Sequence, residues 1–321
     1  MLSFEQTGAR APAMLPAKPR WGELMRILLL GAEGLLGTTV WATAEADPRV
    51  TELVAAGRAD VDVTSRDAVR RAVLDVRPDA VINTAALMPA DLCDETPEAA
   101  YAINALGPRW VSQACAGIDA VPVYVSTDFV FDGAGSQPYP PDGYPRPVQT
   151  YGITKLAGEH ETRLGSERYL VTRSACLFGP PPRSPRARRC FVDRVAEKAS
   201  AGGDLKVVDN VITSPTYTRD LATTILDLLY HKAPSGTYHA VNQGVASWYE
   251  LCRTALDRLG LPAQVTPIQE QNYTTAPRPL HTPLTGTLPD GVRRIRRPWQ
   301  AALDDYLVQY PALRTDERDV A

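Results

Sequence analysis

From Met25 onward, short apolar runs of strand length alternate with longer stretches whose apolar positions recur every three to four residues. The runs Ile27–Leu30, Glu52–Ala55, Ala80–Thr84, Val121–Ser126 and Tyr169–Ser174 read as strands. Between them, Leu35–Ala46, Ser65–Val76, Pro97–Ala116 and Tyr151–Arg163 read as helices. Continuous apolar strands separated by helix-length crossovers imply parallel strands covered on both faces, connected by right-handed βαβ units. The expected fold is α/β, a Rossmann-type doubly wound parallel sheet occupying residues 25–176. Beyond it the pattern loosens. Gly179–Arg189 (GPPPRSPRARR) must be loop, and Asp220–Tyr230, Thr237–Val241 and Trp248–Leu259 read as helix, strand and helix. Ser247 and Glu250 form a capping box at the start of the last helix. The final 60 residues, rich in Pro and Thr, suggest a smaller, loop-rich substrate-binding domain over 177–321, with the chain returning to the sheet near 205–230. Residues 1–24 show neither an apolar period nor a signal-peptide core, and are expected to form a mobile extension.

Composition narrows the function classes. A net charge of −3 provides no electrostatic footprint for nucleic acid, and no apolar run approaches the roughly 18 residues that span a bilayer. The five cysteines are scattered and show no C-x-x-C spacing, which argues against a zinc site or disulfide framework and for a reducing cytoplasm. Only five of the 34 basic residues are lysines, so a lysine inside a motif carries weight.

Two motifs carry chemistry. Gly31-Ala-Glu-Gly34-Leu35-Leu36-Gly37 follows the first strand and opens a helix. There one glycine permits the turn, the next admits a pyrophosphate, the third lets helix pack on strand, and the amides at the helix start face the anion. Near the end of the second strand, where an acid would hold the ribose of NAD, the charged residue is Arg58. A guanidinium suits the 2′-phosphate of NADP, so NADPH is expected, with NADH the alternative. Asp62 and Val63 lie where a loop can meet the adenine edge. The second motif, Tyr151-Gly-Ile-Thr-Lys155, places a phenol and an ammonium on one helix face, and Thr127 ends a strand 24 residues upstream. A phenol is a weak acid at neutral pH. The neighbouring ammonium is expected to lower its pKa, so that Tyr151 protonates a carbonyl oxygen held by Thr127.

With Asn83-Thr-Ala85-Ala86, Ser126-Thr127-Asp128-Phe-Val-Phe-Asp132-Gly133, Tyr151-Gly-Ile-Thr-Lys155-Leu-Ala-Gly-Glu159, Ser214-Pro-Thr-Tyr-Thr-Arg-Asp-Leu-Ala222 and Arg278-Pro279, the chain resembles the extended short-chain dehydrogenase/reductases. Within them it is most similar to the dTDP-4-dehydrorhamnose reductases. The resemblance implies reduction of a keto group on a dTDP-4-keto-6-deoxysugar, with Thr127, Tyr151 and Lys155 as the catalytic residues and Lys155 also holding the nicotinamide ribose. It implies cofactor contacts at Ala85 and Ala86, a structural role for Asn104, and substrate contacts at Asp128, Cys176 and Arg278. Several positions depart from that pattern. Cys176 replaces a tryptophan platform, Gln149 replaces an asparagine, and Leu87-Met-Pro-Ala-Asp91 is less polar than its counterpart. Thr39 replaces a metal-binding carboxylate, so no metal is expected, while a homodimer is left open. The rival readings are an epimerase or dehydratase of the same fold, and a non-catalytic NADP-binding regulator like the beta subunit of methionine adenosyltransferase. Phe129 after Asp128 does not supply the Asp-Glu pair typical of such dehydratases, and the retained Thr127, Tyr151 and Lys155 argue against lost catalysis.

Overall fold

The computed structural model describes residues 25–272, 276–286, 288–292, 295 and 297–309; the expected N-terminal extension lies outside them. Strands β1 (Met25–Leu30), β2 (Val50–Ala56), β3 (Ala80–Asn83), β4 (Val121–Thr127), β5 (Leu170–Ser174) and β10 (Gly236–His239) form one sheet in the order β10-β5-β4-β3-β1-β2. Every pairing is parallel. Burial explains the composition of the middle strands: Ile27–Leu30, Ala80–Ile82 and Leu170–Val171 are all buried, as in parallel strands covered on both faces. Strand order reverses between β1 and β3, so a crevice opens beyond their C-terminal ends, where ligands of such sheets bind.

Helix α1 (Leu35–Glu45) starts at Gly34, and α2 (Arg66–Val76) starts at Ser65, whose hydroxyl accepts from the Ala68 amide. The short α3 (Ala90–Glu95) was not apparent from periodicity. The helix expected over Pro97–Ala116 is interrupted: α4 (Pro97–Tyr101) passes through a π-turn at Ala102–Leu106 into α5 (Gly107–Ala116). Pro108 accounts for the widening. Lacking an N–H, it cannot bond the carbonyl of Asn104 four residues back. That carbonyl instead accepts the Tyr124 hydroxyl at 2.7 Å. Helix α6 (Thr150–Gly165) approaches the same point through Gly158, where a Cβ would stand 2.1 Å from the Asn104 oxygen.

The remaining chain builds a second layer from α7 (Phe191–Ser200), α9 (Trp248–Leu259) and α10 (Trp299–Gln309), with α8 (Thr218–Tyr230) packed back on α1. Three short strand pairs thread it: β6 (Leu177–Phe178) with β9 (Thr216–Tyr217), β7 (Leu205–Val208) with β12 (Val265–Ile268), and β8 (Ile212–Thr213) with β11 (Ala246–Ser247). Phe178, Tyr217, Leu251, Leu303 and Tyr306 form its apolar core. The capping box of Ser247 and Glu250 is present. Residues 179–190 form no regular element, as their composition dictates. The closing stretch, expected to be loop-rich, carries α10, whose Trp299 and Tyr306 are buried.

Candidate active site

The glycine-rich turn has the geometry its spacing implies. Gly31 has φ +75°, and a Cβ there would stand 2.7 Å from the Ala85 amide nitrogen. A Cβ on Gly37 would lie 2.1 Å from the Gly31 carbonyl oxygen, so this glycine serves the packing of helix on strand. Gly34 differs: the nearest protein atom to a Cβ there is 3.4 Å away. Nothing within the fold demands glycine at Gly34, whereas the close approach of a pyrophosphate to the helix start does. The residues present therefore fit a dinucleotide. Leu36 is buried in the core and Leu35 packs toward the second layer, so each offers this crevice its backbone rather than its side chain.

Opposite the turn, the Asn83 side chain accepts the Ala85 amide at 3.1 Å, and Ala86 is exposed beyond it. Arg58 is exposed just past β2. The Asp62 carboxylate is occupied by the amide and hydroxyl of Thr64, which hold its pKa below the usual carboxylate range, and Arg58 adds to the effect. The Val63 side chain is a core residue beneath α5, so at this position the chain offers a ligand its backbone. One residue escaped sequence reasoning. The Glu33 carboxylate folds against Gly57, 2.7 Å from where a Cβ would stand, so the turn bearing Arg58 also has an acid beside it. The Pro/Arg loop straps this region. The Ser184 amide donates to the Glu33 carbonyl, the Arg183 amide donates to Thr38, and the Arg183 guanidinium stacks 3.7 Å over the Trp41 ring.

At the end of β4, Gln149 caps α6 by accepting the Gly152 amide at 2.6 Å. Gly152 lies so close to the turn after Thr127 that a Cβ would stand 2.1 Å from the Phe129 carbonyl oxygen. This contact brings Tyr151 to Thr127 and Asp128. Tyr151, Lys155 and Glu159 share one face of α6. The Lys155 ammonium donates to the Val125 carbonyl at 2.6 Å and sits 4.1 Å from the centre of the Tyr124 ring. Burial drives its pKa down to about 7, against the pull of Glu159 and Cys93. Glu159 in turn accepts from Ser126 and forms a buried ion pair with Arg173 at 2.7 Å.

The Tyr151 phenol does not show the expected depression. Burial, then the Asp128 carboxyl, push its pKa up; Thr127 alone works against them. Lys155 is drawn to the β4 backbone rather than to the phenol.

The remaining expected contacts separate. Asp128 is buried, and its carboxylate accepts from Thr127, Thr213 and Thr282. Burial raises its pKa to about 6, opposed by those three hydroxyls in the order Thr282, Thr127, Thr213. Cys176 holds a left-handed backbone (φ 39°) and is half-buried, with its thiol pushed up by burial and then by Asp128. Arg278 pairs with Asp91 of α3 at 2.6 Å and donates to the Ala276 carbonyl. Its guanidinium thus ties the C-terminal segment to α3. Asn104 has the structural role expected of it: it bonds both the amide and the carbonyl of Leu87, as well as Thr154. At Thr39, the hydroxyl is buried against Thr218 at 2.9 Å.

A switch-point crevice floored by this glycine turn, with Thr127, Tyr151 and Lys155 at the end of β4, defines an NAD(P)-dependent oxidoreductase of the extended short-chain dehydrogenase/reductase class. The sequence profile of the RmlD substrate binding domain matches residues 25–311, and the chain belongs to that family. It is 36% identical over 306 residues to dTDP-4-dehydrorhamnose reductase of Streptomyces griseus, covering 92% of this chain and 94% of that one. It is 34% identical over 294 residues to a probable dTDP-4,6-dihydroxy-2-methyloxan-3-one 4-ketoreductase of Streptomyces antibioticus, covering 87% and 93%. The crystal structure of Bacillus anthracis dTDP-4-dehydrorhamnose reductase in complex with NADP superposes with a TM-score of 0.83 at 28% identity, covering 89% of this chain and 99% of the other.

Proposed function

We propose that this protein uses NADPH to reduce the keto group of a dTDP-activated 4-keto-6-deoxysugar, with Tyr151 as the proton donor. The observation that carries the reading is the meeting of Tyr151, Thr127 and Lys155 at the sheet edge beside the glycine turn. Family membership supports the substrate class, and the NADP bound to the B. anthracis relative supports the cofactor. Residues 25–176 would hold the dinucleotide, and the segments after 177 would cover the sugar nucleotide.

Gly31, Gly34 and the amides opening α1 would hold the pyrophosphate, and Arg58 a 2′-phosphate. When bound, the reduced nicotinamide supplies a hydride to the carbonyl carbon. The chain supplies the proton. A raised pKa keeps the Tyr151 phenol protonated at neutral pH, which is the form a reductase needs at the start. The phenolate left behind requires a cation. Lys155, one helical turn along, is placed to give it, and burial strengthens the attraction.

Purified protein should consume NADPH in the presence of dTDP-4-keto-6-deoxysugars, followed by loss of nicotinamide absorbance. Tyr151→Phe should retain cofactor binding and lose on the order of 10²–10⁴ in kcat. If that variant turned over like the parent, the proton-donor assignment would be wrong. Tight NADPH binding with no turnover of any such sugar would instead favour the regulatory-subunit reading.

A further inference from the structure

Asp128 sits in an arrangement that its expected contact with substrate does not explain. Its carboxylate collects hydroxyls from three distant parts of the chain. Thr127 at the end of β4 donates to Oδ1 at 3.0 Å. Thr213 of β8 and Thr282 of the C-terminal segment both donate to Oδ2, at 3.1 and 2.6 Å. The Phe129 amide donates to Thr127 Oγ1 at 3.2 Å. A threonine hydroxyl has one proton to give. While Thr127 gives its proton to Asp128, it shows Tyr151 and an incoming carbonyl oxygen only a lone pair.

We propose that Asp128 is a positioning residue whose protonation decides whether Thr127 offers its hydroxyl proton to the substrate oxygen or withholds it. The inference rests on the reductase reading and deepens it. Oδ2 is saturated by two donors, so a proton arriving on the carboxyl goes to Oδ1. Oδ1–H then donates to Thr127 Oγ1, whose own hydrogen must turn outward, toward Tyr151 and the carbonyl it protonates. No bond to carbon is made or broken in this step; one proton is bound and one hydroxyl rotates.

The environment permits the switch near neutrality. Burial holds the Asp128 pKa up at about 6. Among the described residues, the titratable groups facing it are Tyr151 from α6 and Cys176 beyond β5. Both have raised pKa values and are uncharged in that range. His281 precedes Thr282, a donor to Asp128, in the chain, so His281→Gln is the control.

Asp128→Asn separates a switch from a merely structural carboxylate. An amide reproduces the protonated state: its oxygen takes the two threonine hydroxyls, and its NH₂ donates to Thr127. Two measurements follow. In the protein alone, infrared titration should show the C=O stretch of a carboxylic acid appearing as pH falls through about 6. That band should be absent from Asp128→Asn, retained in His281→Gln, and moved to higher pH in Thr282→Val, which loses a donor to the ionised form. In single turnover with NADPH and a dTDP-4-keto-6-deoxysugar, the parent should slow about fivefold between pH 6 and pH 7 as the protonated share falls from a half to about a tenth. Asp128→Asn should be active and flat across that range. A titrating band insensitive to Asp128→Asn, or a variant that keeps the parental pH limb, overturns the proposal. Should the parent fail to turn over at any pH, the reductase reading fails, and the infrared titration alone judges Asp128.

Discussion

At the scale of single residues, the turn after β2 brings together two opposite charges where the sequence showed one. Arg58 stood out because it follows an apolar strand. Glu33 did not, because it lies 25 positions earlier inside the glycine motif, and only folding sets its carboxylate against Gly57. A guanidinium attracts a 2′-phosphate bidentately, while a carboxylate repels it and accepts from a 2′-hydroxyl. Arg58→Ala should therefore weaken NADPH binding about tenfold and leave NADH nearly unchanged, whereas Glu33→Gln should tighten NADPH and loosen NADH. Nicotinamide fluorescence titrations measure both. Equal effects on the two cofactors would show that neither side chain reads the 2′ position. Asp128 was similarly half-legible. Its place after Thr127 marked it as part of the site, but two of its three hydroxyl donors lie 85 and 154 residues away, beyond any local pattern.

At the scale of elements, period and punctuation revealed the sheet and most of its helices, because parallel strands buried on both faces leave an unbroken apolar signature. The pattern failed where an element's reason is tertiary. Helix α7 follows immediately on a Pro/Arg loop, and α10 emerges from a stretch punctuated by proline and threonine; both are held by the second core through residues such as Val192, Leu303 and Tyr306. The glycine turn shows how geometry refines a motif whose three glycines look alike in sequence. Gly37→Ala drives a methyl into the Gly31 carbonyl and should cost both stability and NADPH binding. Gly34→Ala meets nothing closer than 3.4 Å, so its thermal unfolding should shift by no more than about 1 kcal/mol, the scale of an N-cap change. NADPH affinity should nonetheless fall at least tenfold, as isothermal titration would show. Unchanged affinity in Gly34→Ala would mean that no ligand approaches that backbone.

Across the whole molecule, three buried groups set how stability responds to acid and base, and they do not act in the same direction. His239 is held down to about 3 by burial and then by the Arg173 guanidinium. The unfolded chain therefore binds a proton there that the native state refuses, and stability is lost as pH falls from 6.5 toward 3. Lys155, lowered to about 7, adds stability as pH rises from 7 toward its unfolded value. Asp128 has the opposite sign. Its native value, about 6, exceeds its ordinary value of 3.8, so its contribution is present below 3.8 and is lost as pH rises through 6. Between those limits Asp128 and His239 offset each other, and together they leave the parent nearly flat. Asp128→Asn removes one side of that balance. Relative to the parent, it should gain about 3 kcal/mol between pH 4 and pH 7, since roughly two pKa units at about 1.4 kcal/mol each are released. On acidification it should therefore lose stability more steeply than the parent, with the His239 slope uncovered. Thermal melts of the two proteins from pH 4 to pH 8 test this: curves that run parallel would show that the Asp128 carboxyl does not titrate between its folded and unfolded values in this range, and that the three threonines hold it ionised throughout.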